Sequence, residues 1–415
     1  MGDLKAGLGL AALVAALLQF GAAPALAQDP PLSLAAAVKM EAADSLPITA
    51  FYDAPRALAR TRPGALLRKE AFDGYALPKG ARAIRILYHS RDADGHAVAT
   101  SGVVLIPAGA TPAGGWPVIA WAHGTSGVAP MCAPSLMKDV YYGEEGLLPM
   151  LRAGYAVVAT DYHGLGAGSP HQYVNKIAQA YDVIYSIPAA RKAVPELGKG
   201  WVADGHSQGG TAAWSVAELE RRRADPGYLG AVAVAPGVQL RQVLTHAAKS
   251  SSTGFYLDYI AWAIHALTPS FAPSDMLTGA ALDRYGDVTS KGCFYYGYAS
   301  FQGDTQPPVL KAGWDQTPAA QRFFRESEVG ASPIAGALLV IAGEADQTVP
   351  IAAVRKTVDQ ACALGVPLEF RTYPGLDHDP TMEKSTPDQL AWIAARFAGA
   401  PAAKACPVVA TTPPR

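Results

Sequence analysis

The sequence predicts an α/β protein with a largely parallel central sheet and an inserted helical segment. Three observations carry this. Short, continuous apolar runs recur at 117–121 (Pro-Val-Ile-Ala-Trp), 155–159, 201–203, 231–234 and 337–342, as in strands buried on both faces. Helix-like stretches separate most of them, which is the alternation that gives parallel sheets. Between 235 and 336 the alternation stops, and that gap is about three times the length of a strand-helix-strand unit.

Each segment follows from its own chemistry. Residues 1–27 have a basic Lys5, an apolar stretch from about Leu8 to Phe20 and a small-residue box at Ala25-Leu26-Ala27. This reads as a secretory signal cut after Ala27, and its apolar core is short for a membrane span of about 20 residues. Residues 28–80 are proline-rich with little periodicity and are expected to form an arm laid over the core. The stretches ILYHS and AVATSGVVLIP are strand-like, with Asp94-Gly95 as the hairpin turn; Asp92 and Asp94 are turn residues rather than metal ligands. The core is expected at 81–235 and 337–400. Helices are expected at 171–193, broken near Pro188, and at 210–223, 350–364 and 386–398, with a last strand at 367–373. The 236–336 segment has helix-like apolar stretches and an aromatic cluster and is expected to be a helical cap. The tail, 401–415, is Pro/Ala-rich but carries Cys406, so it is expected to be pinned.

Bulk properties exclude several functions. There are 34 Lys and Arg against 35 Asp and Glu, with no basic block, so nucleic acid is not an expected partner. A near-neutral molecule suits a neutral or apolar substrate. The four cysteines, Cys132, Cys293, Cys362 and Cys406, include no C-x-x-C pair. In an exported chain they imply disulfides, with three pairings open. No metal site or cofactor is expected, and His163 and His171 lack metal-ligand spacing on one helix face.

The chemistry centres on Gly205-His206-Ser207-Gln208-Gly209. In a chain with 41 glycines the pentapeptide alone is weak. Its setting strengthens it: a strand ends at about Asp204 and a helix begins at about 210, the strand-turn-helix context that presents a nucleophilic serine at the carboxyl edge of a sheet. Such a serine needs an acid and then a histidine downstream. Asp346 follows the 337–342 strand, and His378, the only histidine beyond it, follows the 367–373 strand. Glu344 is the alternative acid; Asp377 and Asp379 are expected to point elsewhere. An oxyanion hole requires backbone N–H groups, assigned to Gln208 and to Thr125 in the His123-Gly124-Thr125 loop. His123 is expected to brace that loop, and His206 to pack behind the turn. Asp161, Tyr162, Tyr259 and Trp262 are candidate substrate contacts; the competing roles are loop stabilisation for the first two and packing inside the cap for the last two.

These residues resemble the secretory lipase family (Candida lipase A type, bacterial branch) of the α/β-hydrolase superfamily. The matching residues are Phe51-Tyr52-Asp53, the stretch from Pro63 to Arg68, Asp161-Tyr162 with Gly164-Leu165-Gly166, and Gly205-His206-Ser207-Gln208-Gly209, followed in order by Asp346 and His378. His123-Gly124-Thr125 looks like the bacterial branch; the fungal branch offers an aspartate there. The resemblance implies an α/β-hydrolase fold whose cap covers an acyl-binding tunnel, hydrolysis of carboxylic esters and acylglycerols, and the pairings Cys132–Cys293 and Cys362–Cys406.

The expected function is therefore that of an exported serine hydrolase, secreted or periplasmic. It would act on a small-molecule ester or lipid, in transient contact with a lipid interface and without a membrane span. The alternative is a short-acyl, aromatic-acid or polyester esterase. A peptidase on this scaffold is the less expected hydrolase, and a binding protein that has lost catalysis fits less well because Ser207, Asp346 and His378 are all present.

Overall fold

The computed structural model describes residues 31–249, 253–302, 310–402, 406 and 408–411. The expected signal segment, 1–27, and part of the tail lie outside the described residues.

The strands are β1 (Leu66–Phe72), β2 (Arg82–Arg91), β3 (Ala97–Ile106), β4 (Trp116–Ala122), β5 (Ala156–Thr160), β6 (Leu197–His206), β7 (Tyr228–Val234), β8 (Ala337–Gly343), β9 (Leu368–Tyr373) and β10 (Val408–Ala410). They form one sheet in the order β1-β2-β3-β5-β4-β6-β7-β8-β9-β10. The β1–β2, β2–β3 and β3–β5 pairs are antiparallel, and every pair from β5 through β10 is parallel. The helices are α1 (Leu34–Asp44), α2 (Leu148–Arg152), α3 (Lys176–Ala193), α4 (Gln208–Arg223), α5 (Leu240–Ala247), α6 (Phe255–Leu267), α7 (Gly279–Val288), α8 (Phe294–Ser300), α9 (Pro318–Ser327), α10 (Ile351–Ala363) and α11 (His378–Phe397).

Strand pleat sorts the core into two layers. Val118, Ala120, Ala203, Ala231 and Leu338 face α3, α4 and α10. Their neighbours Ile119, Trp121, Val202, Val232 and Leu339 face α2 and α11. Burial on both faces is why these strands read as unbroken apolar runs. Helices α5 to α9 lie between β7 and β8 in sequence, and most of their buried side chains form a third cluster built around α6.

Four features depart from the sequence reading. The 28–80 stretch contains helix α1 and the edge strand β1. The charged Arg68-Lys69-Glu70 run suits an edge, which exposed charge protects from further pairing, but it hides the apolar alternation. Helix α3 continues through Pro188. Tertiary packing outweighs the lost N–H, because the ring fills the space beside Gly64, where an added Cβ would meet Pro188 Cγ at 2.5 Å. Helix α11 begins at His378 rather than near 386: Asp377 caps it by accepting the His378 N–H at 2.8 Å, and Pro380 falls in the first turn, where proline is tolerated. The tail adds β10 beside β9.

The chain visits β5 between β4 and β6, although β4 and β6 are neighbours. The connections leaving β4 and β5 therefore run in opposite directions. Such a reversal opens a crevice at the carboxyl ends of the strands, where α/β folds bind ligands. The next residues after β4 and β6 are His123 and Ser207.

Candidate active site

Ser207 stands between the last residue of β6 and the first of α4 with φ 58° and ψ −119°. A non-glycine residue there carries strain of roughly 1–3 kcal/mol and persists only if its surroundings fix it. They do: Ser207 N–H donates to the Val234 carbonyl (2.9 Å), and the Ser207 carbonyl accepts from Thr211 N (3.1 Å) and Gly237 N (3.1 Å). The flanking glycines are steric requirements. A Cβ at Gly205 would lie 2.3 Å from the Gly209 carbonyl oxygen, and one at Gly209 would lie 1.8 Å from that of Ala122.

The loops after β8 and β9 bring two partners to this serine. His378 Nε2 is 2.8 Å from Ser207 Oγ, and His378 Nδ1 is 2.7 Å from Asp346 Oδ2. The other oxygen of Asp346 accepts the N–H groups of Thr348 (2.9 Å) and Val349 (2.7 Å), which fixes the carboxylate plane. Glu344 turns away to Arg355, 3.6 Å off. With Nδ1 held by a carboxylate, the His378 imidazole carries its proton there and offers a lone pair to the serine. Burial alone would lower the pKa of His378, but the adjoining Asp346, with Asp379 and Asp377, brings it above its ordinary 6.5.

His206 is buried behind the turn. Its Nδ1 meets the Tyr142 hydroxyl at 2.8 Å and its Nε2 the His378 carbonyl at 3.3 Å. Burial and the neighbouring His378 lower its pKa to about 4. His123 faces the Gly124 carbonyl through Nδ1 (2.6 Å) and the Asp161 carbonyl through Nε2 (3.1 Å), and burial lowers its pKa to about 4. Both stay neutral at pH 7.

Gln208 is the first residue of α4, so its N–H belongs to the turn that lacks intrahelical acceptors. Thr125 lines the same cavity as Ser207. This cavity, about 170 Å³, is also lined by Tyr141, Tyr142, Tyr256, Phe294, Tyr295, His378 and Asp379. Ser207 and Gln208 also line a smaller, mainly apolar cavity of about 50 Å³, together with Tyr173, Val174, Leu240, Val243, Leu244, Tyr256 and Ile260.

The expected substrate contacts are placed elsewhere. Asp161 is buried, accepting from Ser101 Oγ (2.6 Å), Ser135 Oγ (2.5 Å) and Ser135 N (2.8 Å); burial raises its pKa to about 6. Tyr162 donates its hydroxyl to the His123 carbonyl at 3.1 Å. Both brace the 123–126 loop from behind. Tyr259 donates to the Cys293 carbonyl (3.1 Å), and Trp262 Nε1 donates to the His171 carbonyl (3.1 Å). On α6 it is Tyr256 and Ile260, four residues apart and hence on one helix face, that line the cavity. Asp379, expected to point away, lines the larger cavity with its carboxylate 4.0 Å from His206 Nε2.

His206, His378 and Asp379 each bring one donor atom to within 4.8 Å of the others, a spacing that could hold a metal ion. Both nitrogens of His378 already serve Ser207 and Asp346, so a metal would compete with that pairing. Disulfides join Cys132 to Cys293 and Cys362 to Cys406; the first ties the segment after β4 to the start of α8.

A serine on a strained strand-to-helix turn, at the carboxyl edge of a mostly parallel sheet, defines an α/β-hydrolase. The sequence model of the secretory lipases matches residues 139–405, and the chain belongs to that family. It is a carboxylic ester hydrolase. The fold is similar to that of Candida antarctica lipase A in its closed state (TM-score 0.72, 18% identity, 88% of this chain and 90% of that one). It is also similar to a ligand-bound form of the rice cell wall degrading esterase LipA from Xanthomonas oryzae (TM-score 0.66, 16% identity, 81% and 98%). A putative hydrolase from Legionella pneumophila is a further neighbour (TM-score 0.65, 17% identity, 80% and 98%). No curated protein sequence matches this chain. Among the described residues no helix is long and apolar enough to cross a membrane, and the family and the two disulfides fit an exported protein.

Proposed function

We propose that the protein is an exported serine hydrolase that cleaves acylglycerols or other lipid esters through Ser207, His378 and Asp346. The observation that carries this is the His378 imidazole, bonded to Ser207 Oγ on one side and to Asp346 on the other. Neutral His378 takes the Ser207 proton as Oγ adds to the ester carbonyl. Asp346 holds the tautomer and stabilises the imidazolium. The N–H groups of Gln208 and Thr125 meet the oxyanion. His378 then protonates the departing alcohol, leaving an acyl-Ser207 ester, and water activated by His378 releases the acid. The substrate's acyl chain would enter between the 236–336 cap and the core, and residues 1–27 would direct export. Ser207→Ala is expected to abolish turnover of a nitrophenyl ester while the protein stays folded; retained turnover would refute the mechanism.

A second reading has a specific observation behind it. The apolar cavity beside Ser207 measures only about 50 Å³, room for a few carbons, which favours a short-acyl or aromatic-acid esterase. A series of nitrophenyl esters of increasing chain length, run beside an emulsified triglyceride, separates the two. Activity confined to short soluble esters selects the second; turnover of the emulsion selects the first.

A further inference from the structure

The segment that follows the 161–168 loop contacts the side chains of both residues assigned as oxyanion donors. His171 donates Nδ1–H to the His163 carbonyl at 3.0 Å, which leaves Nε2 as an acceptor. Gln208 fills it, donating from its side-chain Nε2 at 3.2 Å. Two residues on, the Tyr173 hydroxyl lies 2.7 Å from Thr125 Oγ1. Gln208 heads α4, and Thr125 lies in the loop after β4; no element of secondary structure contains both. The 171–173 segment spans them.

The segment is itself held. The Tyr162 ring stacks on that of His171 (centroids 5.9 Å apart, planes at 19°). Asn175 caps α3, accepting from Ile177 N and Ala178 N at 3.1 Å. The remaining anchor comes from the inserted helices: Trp262 of α6 donates its indole N–H to the His171 carbonyl at 3.1 Å, and Tyr259 packs edge-on against Tyr173 (centroids 5.9 Å apart). His171 bears no charge in this arrangement, since burial pushes its imidazole well below its ordinary pKa.

We infer that His171 and Tyr173 are positioning residues that set the separation of the Thr125 and Gln208 N–H groups, and that Trp262 ties this brace to the inserted helices. The inference rests on the assignment of Thr125 and Gln208 as oxyanion donors. Preorganised donors act at the transition state, so misplacing them lowers kcat and leaves ground-state binding intact. Displacements of about 1 Å can cost up to roughly a hundredfold.

The test uses Tyr173→Phe, which deletes one oxygen; the pair His171→Leu and His171→Gln, the second of which keeps an acceptor for Gln208; and Trp262→Phe. For each, kcat and KM on a nitrophenyl ester are measured together with thermal midpoint. Affinity is measured for an alkyl trifluoromethyl ketone, which forms a tetrahedral oxyanion on the serine, and for the matching methyl ketone, which binds without strong addition. Tyr173→Phe and His171→Leu are expected to lower kcat and weaken the trifluoromethyl ketone by the same factor, about tenfold or more. KM and methyl-ketone affinity stay within about twofold, the effect scale of unperturbed ground-state binding. His171→Gln recovers part of the loss, and Trp262→Phe gives a smaller loss of the same kind. A rise in KM at constant kcat would reduce Tyr173 to a wall of the cavity and overturn the inference. So would losses in kcat with unchanged trifluoromethyl-ketone affinity. An unaffected Trp262→Phe would remove the link to the inserted helices. If the wild-type enzyme formed no tetrahedral adduct at all, the proposed serine mechanism on which the donor assignment rests would fail, a result distinct from failure of the brace.

Discussion

Gly209 and Ala122 leave no room between them: a Cβ on Gly209 would sit 1.8 Å from the Ala122 carbonyl oxygen and 2.7 Å from that of His123. The first turn of α4 therefore rests directly on the end of β4, and this contact brings Gln208 to the loop that holds Thr125. Gly209→Ala must push the helix off the strand. A destabilisation of about 1–3 kcal/mol is expected for such overpacking, with a larger loss of activity than the residual folded fraction explains. Thermal denaturation and activity per folded molecule check both parts.

Asp346 and Glu344 are two residues apart, but only Asp346 reaches His378. Asp346→Asn is expected to lower kcat by about 10³–10⁴-fold through loss of the correct tautomer. Glu344→Gln, which breaks only an ion pair with a solvent-exposed Arg355, is expected to change it by about twofold or less. Steady-state kinetics on the two variants distinguish the acids.

His378 must be neutral to act as a base, so kcat/KM falls as pH drops through its pKa. That pKa is raised above 6.5, because Asp346, Asp379 and Asp377 together outweigh burial. The acid limb of the profile is therefore expected above pH 6.5. Asp379 is exposed, so its share is screened; Asp379→Asn should move the limb to lower pH by a few tenths of a pH unit, and high salt should do the same. A shift to higher pH would contradict the charge assignment.

The two disulfides close loops of very different length, with sequence separations of 161 and 44. Chain entropy alone gives about 5 and about 4 kcal/mol, respectively. Their functional effects should differ more. Ser126 Oγ donates to the Cys132 carbonyl (2.8 Å) and the Ser126 carbonyl accepts from Phe294 N (2.8 Å), so the first bridge joins a network next to Thr125. Removing both cysteines of the Cys132–Cys293 pair is expected to lower kcat as well as stability. Removing the Cys362–Cys406 pair should lower stability with little change in kcat.

Much of the fold was legible because burial on both sheet faces writes itself as continuous apolar runs, and because the order of Ser207, Asp346 and His378 along the chain left few ways to combine them. What was hidden depended on contacts between distant segments. Pro188 looked like a helix end because its partner, Gly64, lies more than a hundred residues away. His378 is expected in the stretch after the 367–373 strand and ahead of a helix near 386, yet Asp377 starts the helix at His378 itself. The aromatic residues of 255–262 do not reveal in sequence which helix face meets the site: Tyr259 and Trp262 are the expected contacts, whereas Tyr256 and Ile260, at helical spacing, line the cavity. Nothing in the sequence marks the side chain of Gln208; only the folded chain brings it to His171.

The most direct test of the central claim is mass spectrometry of the protein after treatment with an alkyl or aryl organophosphonate. One equivalent of phosphonyl group is expected, mapped by peptide analysis to Ser207, with loss of ester turnover in proportion and no adduct on Ser207→Ala. An adduct on any other residue, or full activity in the labelled protein, would contradict the account.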